Sequence, residues 1–326
     1  MENFRIAAYR FAIVAGKEGL ELPPFKGSTF RGGFGAAFKK IACSQQGRKK
    51  CTGCLLQNTC PYAYVFETSP PPGTEVLKNY DDIPRPFVIE PPPERKTSYT
   101  AGEELHFNVL LMGKCIEYLP YFIVAFEKLG EMGIGKGRRK YNIKEIAAVN
   151  PLTTQEEIIY TSEIPLVKNI DLSVSGKDVL KNTLKNISQI ELKLITPLRL
   201  KYQRQMVNNL QFHILMRNIL RRVSSILYFH HDKELELDYA AVIEEAEKVD
   251  KVEDNTTWVD WERFSRRQDM KLRMGGLVGK VKFQGELDKF YPYLKLAELI
   301  HAGKGTVFGL GKFQIMTENV NVKSII

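Results

Sequence analysis

The chain has 326 residues and carries 47 Lys and Arg against 38 Asp and Glu, a formal charge of +9. That length favours two domains, each with its own core. It shows no signal-peptide pattern and no apolar run of the roughly 18–20 residues a membrane span needs, so a cytoplasmic protein with reduced thiols and no membrane partner is expected.

The charge is unevenly spread. Residues 232–254 hold ten acids and three lysines, a net of −7, which leaves +16 on the rest. A basic body with one acidic segment points to nucleic acid rather than to a membrane surface.

In chain order, residues 4–15 read as a first strand rich in β-branched and aromatic residues. A helix follows at 28–42, where Phe30, Phe34, Phe38 and Ile41 recur at three- and four-residue spacing. Gly32, Gly33 and Gly35 are costly there, by about 1 kcal/mol each relative to alanine, and imply a close neighbour or ligand. Arg31 lies near the helix start, where anions are favoured.

Four of the five cysteines then cluster as Cys43, Cys51, Cys54 and Cys60. The CxxC pair suits a tetrahedral structural metal, zinc ahead of iron–sulfur. Reduced loop cysteines or one redox pair are the alternatives. The basic run at 47–50 is expected to lower the thiol pKa values.

Strands at 87–90 and 105–112, a helix at 115–129, a glycine-rich loop and a strand ending at Val149 complete the first half. The second half repeats this order. A strand at 190–200, a helix at 212–229, a strand pair at 255–266 and 270–283, and a helix at 286–300 lead into a second glycine loop, 301–315. Gly133-Ile-Gly-Lys-Gly-Arg-Arg-Lys-Tyr-Asn-Ile143 and Gly309-Leu-Gly-Lys-Phe-Gln-Ile315 share the pattern Gly, apolar, Gly, Lys, then aromatic, amide, Ile. The predicted fold class is therefore α+β, two tandem ferredoxin-like βαββαβ domains, the topology also of RNA recognition motifs. The first spans 1–150 with a Cys-rich insertion at 43–60, a connector covers 151–187, and the second spans 188–326.

Both glycine loops precede a strand, the reverse of the strand-then-helix order in nucleotide-binding loops. An extended polyanion is the natural ligand. Candidate RNA contacts are Arg31, Lys136, Arg138, Arg139, Gly303, Gly305, Thr306, Gly309, Gly311 and Lys312. The strand pair adds Arg263, Arg266, Arg267, Lys271 and Arg273, interleaved with Trp258, Trp261 and Phe264 that could stack on bases. A charged strand face with the tryptophans in the core is the plain alternative.

Several motifs together resemble the CRISPR-associated endoribonucleases of the RAMP superfamily that process repeat transcripts. They are Phe30-Arg-Gly-Gly-Phe-Gly35, Cys51-x2-Cys54 with Cys60-Pro-Tyr62, Pro92-Pro93 with Gly102-Glu103, and Thr196-Pro-Leu-Arg-Leu-Lys201. Trp258-x2-Trp-x-Arg-Phe-Ser-x-Arg-Gln268, Gly275-Gly-Leu-x-Gly279 and the run from His301 to Gly311 complete the set. The resemblance covers nearly the whole chain. It implies binding of CRISPR repeat RNA and metal-independent cleavage of precursor CRISPR RNA by a monomer or homodimer, with no catalytic cofactor. The alternative it leaves is a non-catalytic RNA-binding subunit of a guide-RNA effector complex.

Such cleavage needs a base for the 2′-hydroxyl proton, and histidine suits that role. The family commonly places a catalytic histidine near the first helix, yet the first histidine here is His106. Of the five histidines, His301 is the catalytic candidate, with Lys304 to stabilise the phosphorane. Capping of the preceding helix is its bland alternative.

Overall fold

The structure is a computed structural model; it describes residues 1–48, 50–68, 83–260, 262–265, 270–316 and 321–322. The chain divides into two compact units. One comprises Phe4–Val174 with Ser225–Lys233, the other Met1–Asn3, Ser175–Ser224 and Glu234–Ile326.

In the first unit the elements are β1 (Arg5–Ala15), α1 (Gly27–Ala42), β2 (Phe87–Glu90), β3 (Glu104–Met112), α2 (Leu119–Met132), β4 (Tyr141–Val149) and β5 (Glu156–Thr161). The strand order is β2-β3-β1-β4-β5 and every pair in that path is antiparallel. Without β5 this is the ferredoxin-like order, second-third-first-fourth. Phe11 of the central strand faces Phe107 on one side and Ile146 on the other.

The spacing read from the sequence makes the core. Phe30, Phe34 and Phe38 of α1 are fully buried. Phe34 stacks on Phe122 and Phe126 of α2, with ring centroids 4.7 and 5.1 Å apart. Each such phenylalanine contributes about 2–3 kcal/mol by leaving water. Two of the α1 glycines are explained by neighbouring side chains and not by a ligand. A Cβ on Gly33 would lie 2.7 Å from Leu129, and one on Gly35 only 2.0 Å from Phe66. The helix expected from residue 115 begins at Leu119, because Pro120 is suited to its first turn and residues 113–118 form a 3-10 turn.

The second unit holds α3 (Gly176–Lys181), β6 (Ile187–Leu198), a hairpin of β7 (Lys201–Tyr202) and β8 (Gln205–Met206), and α4 (Phe212–His231) as far as Ser224. There follow α5 (Tyr239–Glu247), β9 (Asp250–Val259), a hairpin of β10 (Glu262–Ser265) and β11 (Met270–Arg273), β12 (Gly276–Gln284), α6 (Tyr291–Ile300) and β13 (Phe313–Ile315). Its main sheet runs β9-β12-β6-β13, again antiparallel. That order is second-third-first-fourth once more, so both halves are ferredoxin-like. Phe212 anchors α4 edge-on to Phe283 and Phe290, at 5.2 and 5.1 Å.

The expected connector at 151–187 is ordered and divided between the units. Strand β5 extends the first sheet, with Glu156 opposite Val149 and Tyr160 opposite Ile146. Helix α3 belongs to the second unit and starts with a capping box between Ser175 and Asp178. Among the described residues, no helix is long and apolar enough to cross a membrane.

Candidate nucleic-acid interface

The second glycine loop links α6 to β13, and its glycines are first of all a folding device. Gly303, Gly305, Gly309 and Gly311 all have φ between 74° and 82°, the left-handed region. A Cβ on Gly311 would stand 1.8 Å from the Ala302 carbonyl oxygen, and one on Gly303 2.4 Å from that of Arg199. The loop is sewn to the end of β6 by backbone bonds: Lys304 N–H donates to Arg199 at 2.8 Å and Gly311 N–H to Pro197 at 3.1 Å. The Thr196 hydroxyl donates to the Gly309 carbonyl at 2.8 Å and accepts from Lys312 N–H at 2.9 Å.

This closure decides which expected contacts can meet RNA. Thr306, Gly309 and Gly311 are buried, Gly303, Gly305 and Lys312 half-buried, and Lys304 alone in the stretch 301–313 is exposed. The loop therefore offers a lysine tip on a rigid base, not an open row of glycines.

His301 departs most from expectation. Its side chain is fully buried and its Nδ1 pairs with the Leu310 carbonyl at 3.0 Å. The residue ends α6 with a φ of 63°. Beside it, the buried Arg222 of α4 donates from Nη2 and Nε to the Ile300 carbonyl at 2.9 and 3.3 Å. Burial pushes that guanidinium down to about 9. A base for an RNA hydroxyl must reach the surface. Here the imidazole is buried and bonded to the loop's own backbone at Leu310.

Arg199, passed over as a site residue, is the hub of this region. Its carbonyl receives Lys304, while its guanidinium donates to the carbonyls of Gly275 at 2.5 Å and Arg273 at 3.2 Å. It thus ties the glycine loop to the turn between β11 and β12. Arg273 is exposed, and Trp258 on the edge strand β9 is 40% exposed, so that tryptophan is not a core residue. The β7–β8 hairpin, also missed, lifts exposed Lys201 and Arg204 at a turn where Gln203 and Arg204 both have positive φ. Its signal in the sequence is Thr196-Pro-Leu-Arg-Leu-Lys201, one of the motifs that carry the family resemblance. Backbone pairing sets Arg263 opposite Leu272 and Phe264 opposite Lys271. Trp261, Arg266 and Arg267 lie outside the described residues.

In the first unit, the corresponding loop behaves alike. A Cβ on Gly133 would stand 1.8 Å from the Arg138 carbonyl oxygen. Lys136 and Arg139 both turn to Glu21, at 3.0 and 3.8 Å, whereas Arg138 is exposed. Arg31 lays its guanidinium 4.0 Å from the Phe66 ring centroid, a packing contact within this unit.

Comparison with known proteins agrees with this geometry. A family model described as the AF_1859 N-terminal domain matches residues 4–171, and the model of the CRISPR-associated endoribonuclease Cas6 matches residues 192–313. The chain belongs to the family of the AF_1859 N-terminal domain, and its second unit matches the Cas6 endoribonuclease model. An uncharacterized protein of Archaeoglobus fulgidus is 28% identical over 300 residues, which is 90% of this chain and 92% of that protein. A Thermus thermophilus Cas6 is similar in fold, with a TM-score of 0.54 at 11% identity over 96% of this chain and 99% of its own. A Cas6 product complex gives 0.58 at 14%, covering 95% and 100%.

Within the segment matched by the AF_1859 model, the cysteine cluster gives the metal expectation no support. Cys43, Cys51 and Cys54 line one shallow cavity with Lys39, Arg48 and Glu67. Among the described residues, however, no group of three or more His, Cys, Asp or Glu is arranged to hold a metal ion. The basic run does not lower the Cys51 thiol either. Burial, then Glu67 and the other three cysteines, push it up to about 11. Without a metal that thiol is protonated at neutral pH, and a metal ion binding there would have to displace its proton.

Proposed function

We propose that this chain binds CRISPR repeat RNA and cleaves precursor CRISPR RNA within the repeat. The RNA's own 2′-hydroxyl attacks the neighbouring phosphorus, leaving a 2′,3′-cyclic phosphate and a 5′-hydroxyl. The observation that carries the reading is the basic surface assembled around Arg199. Lys304 at the loop tip, Arg273 beyond the Gly275 turn, and Lys201 on the adjoining hairpin are all exposed and all tied to one short segment of backbone. Lysine and arginine on a rigid base suit a phosphate chain, and Trp258 offers a face on which an unpaired base can stack. The site works in the cytoplasm as a monomer or homodimer. The test is incubation with the repeat RNA of the same genome in excess chelator. A discrete product ending in a cyclic phosphate supports the reading; intact RNA after complete binding refutes cleavage.

A second reading is a non-catalytic RNA-binding subunit of a guide-RNA effector complex. One observation favours it: no histidine precedes His106, and His301 is buried. Binding without a product, under the same conditions, is its signature.

A further inference from the structure

The five histidines differ sharply in setting. His230 and His301 are buried, and His231 is half-buried with both ring nitrogens directed to backbone atoms of Arg5 and Ile226. His106 is half exposed on β3, with its Nε2 3.8 Å from Glu104. His213, at the second residue of α4, alone combines a buried nitrogen with an accessible one. Nδ1 is shut off from solvent and lies 3.8 Å from Glu247 Oε1, while 21% of the side chain remains exposed. Nε2 is neither buried nor bonded to a described residue.

Three groups of this unit surround the ring. Glu247 of α5 stands behind Nδ1 and is itself held by Arg217 Nη2 at 3.0 Å. Tyr202 of the basic hairpin meets the imidazole edge-on at 5.6 Å, and Arg217 lies 5.9 Å from the Tyr202 ring centroid. Nδ1 has no hydrogen-bond partner, but a carboxylate 3.8 Å behind it favours by charge the tautomer with its proton there, which leaves the lone pair on Nε2. Asn218 fixes the hairpin to the same helix by donating to the Lys201 carbonyl at 3.3 Å. Lys201 is two residues from Arg199, whose carbonyl receives Lys304. Lys201 and Arg204 flank Tyr202 in the chain, so an RNA strand held on this exposed hairpin lies beside the residue that packs on His213.

We propose that His213 is the catalytic base of this chain and Glu247 the positioning residue behind it. The proposal rests on the endoribonuclease reading above. Nε2 takes the 2′-hydroxyl proton and the 2′-oxygen bonds to the adjacent phosphorus. The bond from phosphorus to the 5′-oxygen breaks, and that oxygen leaves with a proton from water. Burial first, then Arg217, lower the imidazole pKa, while Glu247 opposes them, so the ring is neutral and able to accept a proton near pH 7.

The experiment is single-turnover cleavage of a labelled repeat RNA by the full chain, from pH 5 to 9. Binding of the same RNA, with a 2′-deoxy nucleotide at the cut site, is measured alongside. The expected result for His213→Ala is a loss of about 100-fold or more in rate, with affinity for the deoxy RNA within about twofold. His213→Gln, which keeps a polar side chain of similar length, loses as much and decides the matter if the alanine variant does not fold. Glu247→Gln moves the acid limb of the pH–rate profile to lower pH, a shift that a purely structural role would not produce. Wild-type cleavage beside a His213→Gln rate within threefold overturns this proposal alone. A wild-type chain that binds repeat RNA and leaves it intact overturns the endoribonuclease reading and this proposal with it.

Discussion

Replacing Gly311 by alanine tests whether the second glycine loop is a folding device before it is an RNA contact. At φ 74°, any residue with a Cβ is strained by about 1–2 kcal/mol. The new Cβ would also stand 1.8 Å from the Ala302 carbonyl oxygen, which must retreat by about 1.5 Å to reach ordinary contact. That retreat breaks the Ala302 N–H bond to Gly311, 3.0 Å long, and pulls Gly311 N–H from Pro197. Each buried backbone group left without a partner costs about 1–3 kcal/mol. Counting one such group for each of the two broken bonds, the sum is about 3–8 kcal/mol, a large part of a domain's usual stability of about 5–15 kcal/mol. Urea unfolding followed by circular dichroism measures it. A Gly311→Ala variant within about 1 kcal/mol of wild type, but weakened in RNA binding, would refute the reasoning and restore the glycines as direct contacts.

The other expectations follow from the same geometry. Lys304→Ala leaves stability within about 0.5 kcal/mol, weakens binding to repeat RNA, and flattens the plot of log affinity against log salt by about 0.7, as filter binding at several salt concentrations would show. His301→Ala costs about 2–4 kcal/mol in chemical denaturation, because it opens a cavity and strands the Leu310 carbonyl. Gly32→Ala, where a Cβ meets nothing within 4 Å, stabilises α1 and raises the urea midpoint, by about 0.5–1 kcal/mol. For pH, His231 and His213 are both held below the ordinary imidazole value, chiefly by burial. The unfolded chain thus binds more protons as pH drops below about 6.5. Their contribution is full above that pH and is lost on acidification, so unfolding free energy falls from pH 7 to 5, and His231→Gln makes the fall shallower.

The two ferredoxin-like halves were legible because their code is local. Phe30, Phe34 and Phe38 mark a helix face whatever the rest of the chain does, and the glycine pattern at 133–137 and 309–311 marks the same corner twice. The same local reading misjudged what those features do. Glycines in positive-φ turns look alike whether a phosphate or a carbonyl lies opposite, and only the tertiary fold brings the Ala302 and Arg199 carbonyls against Gly311 and Gly303. His301 beside lysines and glycines reads as an exposed base, yet α6 ends by turning it inward to Leu310. The basic run at 47–50 is adjacent to Cys51 in sequence, but burial and Glu67 set the thiol's chemistry. Arg199 carried no distinctive local pattern, because its partners Arg273, Gly275 and Lys304 are 74 to 105 residues away. Periodicity and repetition thus determine the elements and their order, because each depends on neighbours along the chain. Burial and the identity of facing groups determine the site, because they exist only once distant segments meet.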